Sequence, residues 1–209
     1  MTRILLISGS TREGSLHSAA LRTAARLTPP DSTATLYDGL SYLPAFVPGE
    51  PNPNFAVTNL RHRVDEADAV LFCTPEYAGS LPGSLKNLLD WLVDFGDLEG
   101  KPVAWLSVAG GGQDDGARQT LEVVLGHGNA RVLRHACIRV PLSMTSVDSQ
   151  GLVTDPQLHA ALRDMLAALI RSLTTPEPKK APSWQVYSSV YPVVQQRREN
   201  PTVRNWPAQ

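Results

Sequence analysis

Apolar residues along this chain arrive in short runs closed by turn residues: ILLIS at 4–8, ATLYD at 34–38, AVLFCT at 69–74, VAWLSVA at 103–109 and RVLRHACIRV at 131–140. Each run has strand length, and the first, third and fourth are apolar almost without interruption. Alternation survives only where one face of a strand meets water, so these runs predict parallel strands covered on both faces. Between the runs the period changes to 3.6 residues. Ala20, Leu21, Ala24 and Leu27 share one helical face, Leu85, Leu88, Leu89 and Leu92 another, and Leu121, Val124 and Leu125 a third. The longest stripe joins Leu158, Leu162, Met165, Leu166, Leu169 and Leu173. Asp155 is expected to cap that helix with Pro156 in its first position, and Ser84 to cap a helix from Lys86 to Asp94.

Strand and helix alternate five times, which predicts a doubly wound α/β sandwich of three layers with right-handed crossovers. Residues 1–173 form one domain. Residues 39–57 carry four prolines between the second strand and the next helix, a long excursion of the kind that often serves function. From Thr174 the period is lost and six prolines appear with Trp184, Tyr187, Tyr191 and Trp206. Residues 174–209 therefore read as a Pro-rich C-terminal tail or arm, either unstructured or packed on this or a neighbouring subunit.

Charge narrows the partners. Nineteen Lys and Arg nearly balance twenty Asp and Glu, for a net charge of −1, so no strong field exists to attract nucleic acid or an anionic membrane. Small-molecule chemistry is the expectation. The two cysteines, Cys73 and Cys137, lie in apolar runs without CxxC spacing, and the N-terminal apolar stretch is too short for a secretion signal. A cytoplasmic location is expected. Cys73 reads as inert packing, and the histidines lack metal-ligand spacing, so no metal is expected. Asp114 and Asp115 read as caps at a helix start.

In a doubly wound sheet the ligand crevice opens at the carboxyl ends of the strands, where the winding reverses. Three loops should line it: GSTREGSLHS at 9–18, PEYAGSLPGS at 75–84 and AGGGQDDG at 109–116. The first combines small and hydroxylated residues, Arg12 and a helix N-terminus. Ser10, Ser15 and Ser18 can donate to a phosphate that the helix dipole also attracts, with Arg12 adding a charge-assisted contact. The spacing matches neither a P-loop nor GxGxxG, which favours a mononucleotide. Tyr77 offers a flat aromatic face, small neighbours such as Gly79 expose backbone amides, and Gly110, Gly111 and Gly112 permit close backbone approach from the other side.

GSTREGS resembles the GSxRxxS phosphate loop, and PEYAGSLPGSLKNLLDW resembles the PEYNxSxPGxLKNxxDW signature, of the NADPH-dependent FMN reductase family of flavodoxin-like proteins. The resemblance covers roughly residues 1–173. It implies a flavodoxin-like sandwich with a five-stranded parallel sheet ordered 2-1-3-4-5. It further implies an FMN phosphate held by Ser10, Arg12, Ser15 and His17, and an isoalloxazine against Pro75, Glu76, Tyr77 and Ala78 with Gly110 and Gly111 near its other edge. His17 and Ala78 both stand where the family carries asparagine. A histidine that gains charge in acid implies FMN affinity that rises as pH falls.

The implied activity is FMN-dependent transfer of hydride from NADPH or NADH to a small acceptor such as a quinone, a flavin, an azo compound or a nitro compound. No protein side chain is required as catalyst, because the flavin carries the chemistry. A homodimer or homotetramer is implied, with the helix after PEY at an interface. A non-enzymatic flavodoxin-like electron carrier is the alternative, although carriers of this fold are strongly acidic for docking and this chain is not.

Overall fold

The computed structural model describes residues 1–174. Of the tail expected from Thr174 onward, residues 175–209 lie outside the described residues, and Thr174 closes the last helix. Strands β1 (Thr2–Ser8), β2 (Ser32–Tyr37), β3 (Ala69–Cys73), β4 (Pro102–Ser107) and β5 (Arg131–Val132) pair in parallel in the expected order 2-1-3-4-5. Helices α1 (Leu16–Leu27) and α5 (Pro156–Thr174) pack on one face, while α2 (Phe55–Glu66), α3 (Gly83–Asp94) and α4 (Asp115–His127) pack on the other. Ile4 and Leu6 enter the first core and Leu5 and Ile7 the second, all fully buried. Two covered faces are why β1 reads as an unbroken apolar run.

The fifth strand differs from the single run expected at 131–140. It is broken by a 3-10 turn at Arg134–Ala136 into β5 and a second piece, β6 (Ile138–Arg139). Both pieces pair with β4, through Pro102 and Val103 at one end and Leu106 and Ser107 at the other. The turn drops Ala136 into the core beneath α5, and an edge strand tolerates such a break because only one ladder is disturbed.

Helix starts follow local chemistry in part. Asp155 Oδ1 accepts from Leu158 N at 2.8 Å, the expected cap. Ser84 is no cap: α3 begins at Gly83 with Pro82 in the capping position and no side-chain bond there. The proline ring presets the extended entry that a serine cap would otherwise stabilise. For α2, Asn54 caps through Val57 N at 3.2 Å, and Val57, Leu60 and Val64 make the buried face. The excursion that leads to α2 folds back on α3, where Phe46 meets Trp91 edge-on at 5.1 Å and Gly49 N donates to Asp94 at 3.1 Å. Among the described residues, no helix is long and apolar enough to cross a membrane.

Candidate functional site

The three loops meet at the carboxyl ends of β1, β3 and β4. Gly9 N donates to Cys73 O at 2.8 Å, which continues the β1–β3 ladder by one residue. A β-carbon at Gly9 would collide with Thr74 Oγ1, so only glycine lets the first loop leave so close to the second. On the other side, Glu76 Oε2 accepts from Ala117 N at 3.0 Å, and a β-carbon at Gly116 would collide with the carbonyl of Gly79. The second loop thus touches both of its neighbours, although 41 residues separate Glu76 from Ala117.

In the first loop, Ser15 occupies the N-cap position of α1 without a side-chain cap bond, and the residue is buried. Helix geometry leaves the first-turn amides of α1 without intrahelical acceptors. Arg12 extends into solvent, and Arg12 N donates to Ser10 Oγ at 3.3 Å, which shapes the turn. Ser18 Oγ shares a hydrogen bond of 2.8 Å with Ser8 Oγ, so this hydroxyl ties α1 to the end of β1. Burial pushes the His17 imidazole down to about 4, with the negative charge of Asp114 opposing that shift. Without a bound anion His17 is therefore neutral near pH 7 and offers one N–H donor.

In the second loop, Tyr77 and Ser80 exchange both backbone hydrogen bonds, each at 3.0 Å, around Ala78 and Gly79. Ala78 has φ 51° and Gly79 φ 73°, the two positive angles of a type I′ turn. Asparagine is favoured at the first of these positions, which gives a backbone reason for the residue that Ala78 replaces. The turn holds Tyr77 out with 52% of its surface exposed. Pro75 contributes its carbonyl to Thr74 Oγ1 at 3.0 Å. The Glu76 carboxylate is bound to the first turn of α4, so the contact expected of this residue falls to its backbone.

In the third loop, Gly110 and Gln113 close a turn through Gln113 N to Gly110 O at 3.1 Å and Gly110 N to Gln113 Oε1 at 3.2 Å. Gly111 is exposed, and Gly112 takes φ 78°. Asp114 and Asp115 stand at the start of α4, as expected, with Asp115 in its first turn. Asp114 holds the N-cap position of α4 with no side-chain cap bond. Both carboxylates instead accept from Arg139 Nη2 on β6 at 2.7 Å, and Asp115 also accepts from Arg118 at 3.0 Å. Those hydrogen bonds hold the Asp115 carboxyl below the usual carboxylate range. A guanidinium delivered by the next strand takes both carboxylates, pairing opposite charges in short charge-assisted bonds.

Arg139 joins these loops although nothing in the local pattern at 138–139 signals it. Beneath the loops lies a cavity of about 10 Å³ lined by Thr74, Ser107 and Asp114 among others. Ser107 Oγ is buried there without a protein hydrogen-bond partner. Cys73, at the end of β3, is fully buried, and burial pushes its thiol far up, so it is inert packing as expected. A roomier hollow of about 230 Å³ lies elsewhere, against Arg3, Thr33, Thr35 and Arg63. Volume does not locate the site, because a flat ligand on a ledge needs little enclosure; loop chemistry does.

A phosphate-receptive helix start, an aromatic ledge and a glycine loop, joined at the strand ends of a 2-1-3-4-5 sheet, define a flavodoxin-like protein with a mononucleotide site. The profile of the NADPH-dependent FMN reductases matches residues 2–145, and this chain belongs to that family. It is 33% identical over 172 residues to an NAD(P)H-dependent FMN reductase of Pseudomonas aeruginosa, which spans 80% of this chain and 92% of that protein. It is also 33% identical over 106 residues to a quinone reductase of Escherichia coli, covering 48% of this chain and 56% of the relative. Among solved structures, FerB, a flavoenzyme NAD(P)H:(acceptor) oxidoreductase from Paracoccus denitrificans, superposes with a TM-score of 0.71 at 24% identity. That alignment covers 83% of this chain and 97% of FerB, and it shows the shared fold.

Proposed function

We propose that this chain binds FMN at the three loops and passes hydride from NADPH or NADH to a small acceptor, such as a quinone, a flavin, an azo compound or a nitro compound. The observation that supports the reading is the interlocking of the loops: Gly9 packs against Thr74 and Gly116 against Gly79, so the three strand-end loops touch in series. The donor set fits a flavin mononucleotide. The open first turn of α1, the Ser10 and Ser15 hydroxyls, neutral His17 and Arg12 suit a phosphate, and Ser18 supports them through Ser8. Pro75, Tyr77, Ala78 and Gly79 present backbone and one ring to the flat face of the flavin, and the backbone of Gly110, Gly111 and Gly112 approaches its edge.

FMN, when bound, supplies hydride acceptance and donation, so the protein's part is orientation and electrostatics. Exposed Tyr77 leaves one side of the ledge open to the nicotinamide and then to the acceptor, which supports alternating use of one place. Amides of the glycine loop act as fixed dipoles toward negative charge on the flavin edge. We place the protein in the cytoplasm, a setting that suits its two free thiols. We also propose a homodimer or homotetramer, in which a neighbouring subunit completes a shallow site.

The test is direct. Purified protein should be yellow, or become so with added FMN, and should oxidise NADPH or NADH faster when a benzoquinone is supplied. Failure to bind FMN would sink the proposal. FMN binding without oxidation of either nucleotide would assign the protein to electron carriage instead.

A further inference from the structure

We propose that Glu76 is a positioning residue: it locks the Tyr77 hairpin to the first turn of α4, and its charge there sets how readily a flavin on that hairpin is reduced. The inference rests on the flavin reading above and concerns a residue whose side chain faces away from the ledge.

The first turn of α4 has no cap of its own. Asp114, in the capping position, makes no cap bond and gives its carboxylate to Arg139. Glu76 takes over from the neighbouring loop, with Oε2 accepting from Ala117 N at 3.0 Å. Two further contacts join the same pieces. Gly116 lacks the β-carbon that would strike the carbonyl of Gly79, and Ser80 Oγ lies 3.3 Å from Thr120 Oγ1. Hairpin and helix start therefore move as one unit, and the spacing between Tyr77 and the glycine loop at 110–112 is set by this lock.

Charge adds a second consequence. The amino end of α4 carries the positive end of the helix dipole beside the glycine loop, and such an end stabilises nearby negative charge. The Glu76 carboxylate offsets it. A reduced flavin is more negative than an oxidised one, so a carboxylate at this place opposes reduction. Glu76→Gln keeps an acceptor for Ala117 N while removing the charge. Glu76→Ala removes both.

Three measurements separate the parts. Exchange of the Ala117 amide is followed in FMN-free protein; FMN dissociation constants and midpoint potentials are measured on the loaded protein. In E76A the Ala117 amide should exchange roughly tenfold faster and FMN should bind roughly tenfold more weakly, as expected for loss of a charge-assisted bond. In E76Q affinity should stay within about threefold of wild type, since a neutral bond remains, and the midpoint potential should rise. Unchanged Ala117 exchange in E76A overturns the lock, and unchanged FMN affinity overturns the positioning role. A midpoint potential in E76Q equal to or below wild type overturns the charge effect. Should E76A not fold, Glu76→Asp, one methylene too short to reach Ala117 N, takes its place with the same expectations. Wild-type protein with no affinity for FMN would overturn the flavin reading and the charge effect with it, while the exchange arm would still decide the lock.

Discussion

Asn87 and Trp91, one helical turn apart on α3, donate to the same oxygen: the Asn87 amide reaches Pro44 O at 2.8 Å and the Trp91 indole reaches it at 3.1 Å. Asn87 Oδ1 also accepts from Phe46 N at 2.8 Å, so one side chain satisfies a donor and an acceptor of the excursion. The spacing LKNLLDW thereby acquires a structural meaning, since residues at i and i+4 face the same neighbour. The excursion is held to the helix by polar contacts that no apolar stripe reveals.

Asn87→Ala should cost about 2 kcal/mol in urea unfolding, because it strands Phe46 N and half-satisfies Pro44 O. Trp91→Phe should cost about 2 kcal/mol or more, because it loses the donor to Pro44 O and also leaves a cavity where the buried indole packs on Phe46 and Phe95. A loss below about 0.5 kcal/mol for Asn87→Ala, the range of an ordinary surface change, would show that these bonds do not hold the excursion.

Ala78→Asn should stabilise the protein. The residue sits at φ 51° in the turn that presents Tyr77, and a β-carbon in that region costs roughly 1 kcal/mol that asparagine partly recovers through its local hydrogen bonding. A gain of about 0.5 kcal/mol or more in thermal or urea unfolding is expected. Ala78→Val, branched at the β-carbon, should go the other way. Equal stability of all three proteins would contradict the assigned turn.

His17 should make the FMN-free protein acid-labile. Its folded value is pushed down to about 4 by burial, from an ordinary value of 6.5. Between those pH values the unfolded chain takes up a proton that the folded chain refuses, so stability falls as pH falls through this window. The full effect is of the order of 3 kcal/mol. His17→Asn should flatten the pH dependence of urea unfolding between about pH 6.5 and 4. The same slope in both proteins would show that His17 is not the group responsible.

Arg12→Ala should weaken FMN binding by roughly tenfold or more, as loss of a charge-assisted phosphate contact implies. It should leave stability within about 0.5 kcal/mol, because the side chain is exposed. Equal affinity, read by fluorescence titration, would place the phosphate elsewhere.

Much of the frame was legible in residue order. Unbroken apolar runs at 4–8 and 69–74 mark strands covered on both faces, and these are β1 and β3. The leucine stripe from Leu158 is α5, started by Asp155 as expected. The loops at 9–18, 75–84 and 109–116 were legible as neighbours because a doubly wound sheet brings its strand ends together whatever the side chains do. α2 carried a readable signal as well, in Asn54 followed by Val57, Leu60 and Val64.

Other features depend on partners far along the chain. Asp114 and Asp115 have the local form of caps, yet Arg139, 24 and 25 residues later, takes both carboxylates. Glu76 has the local form of a ledge residue, yet a helix start 41 residues on takes its side chain. The run at 131–140 has the local form of one strand, yet the seat offered to Ala136 beneath α5 divides it. Periodicity, proline and glycine placement act over a few residues, so residue order was enough for the layers, the strand order implied by its family signature and the loops that carry the chemistry. Which polar group meets which is a competition among partners that only packing brings within bonding distance, so the tertiary structure alone decided how the loops are locked and where their charges point.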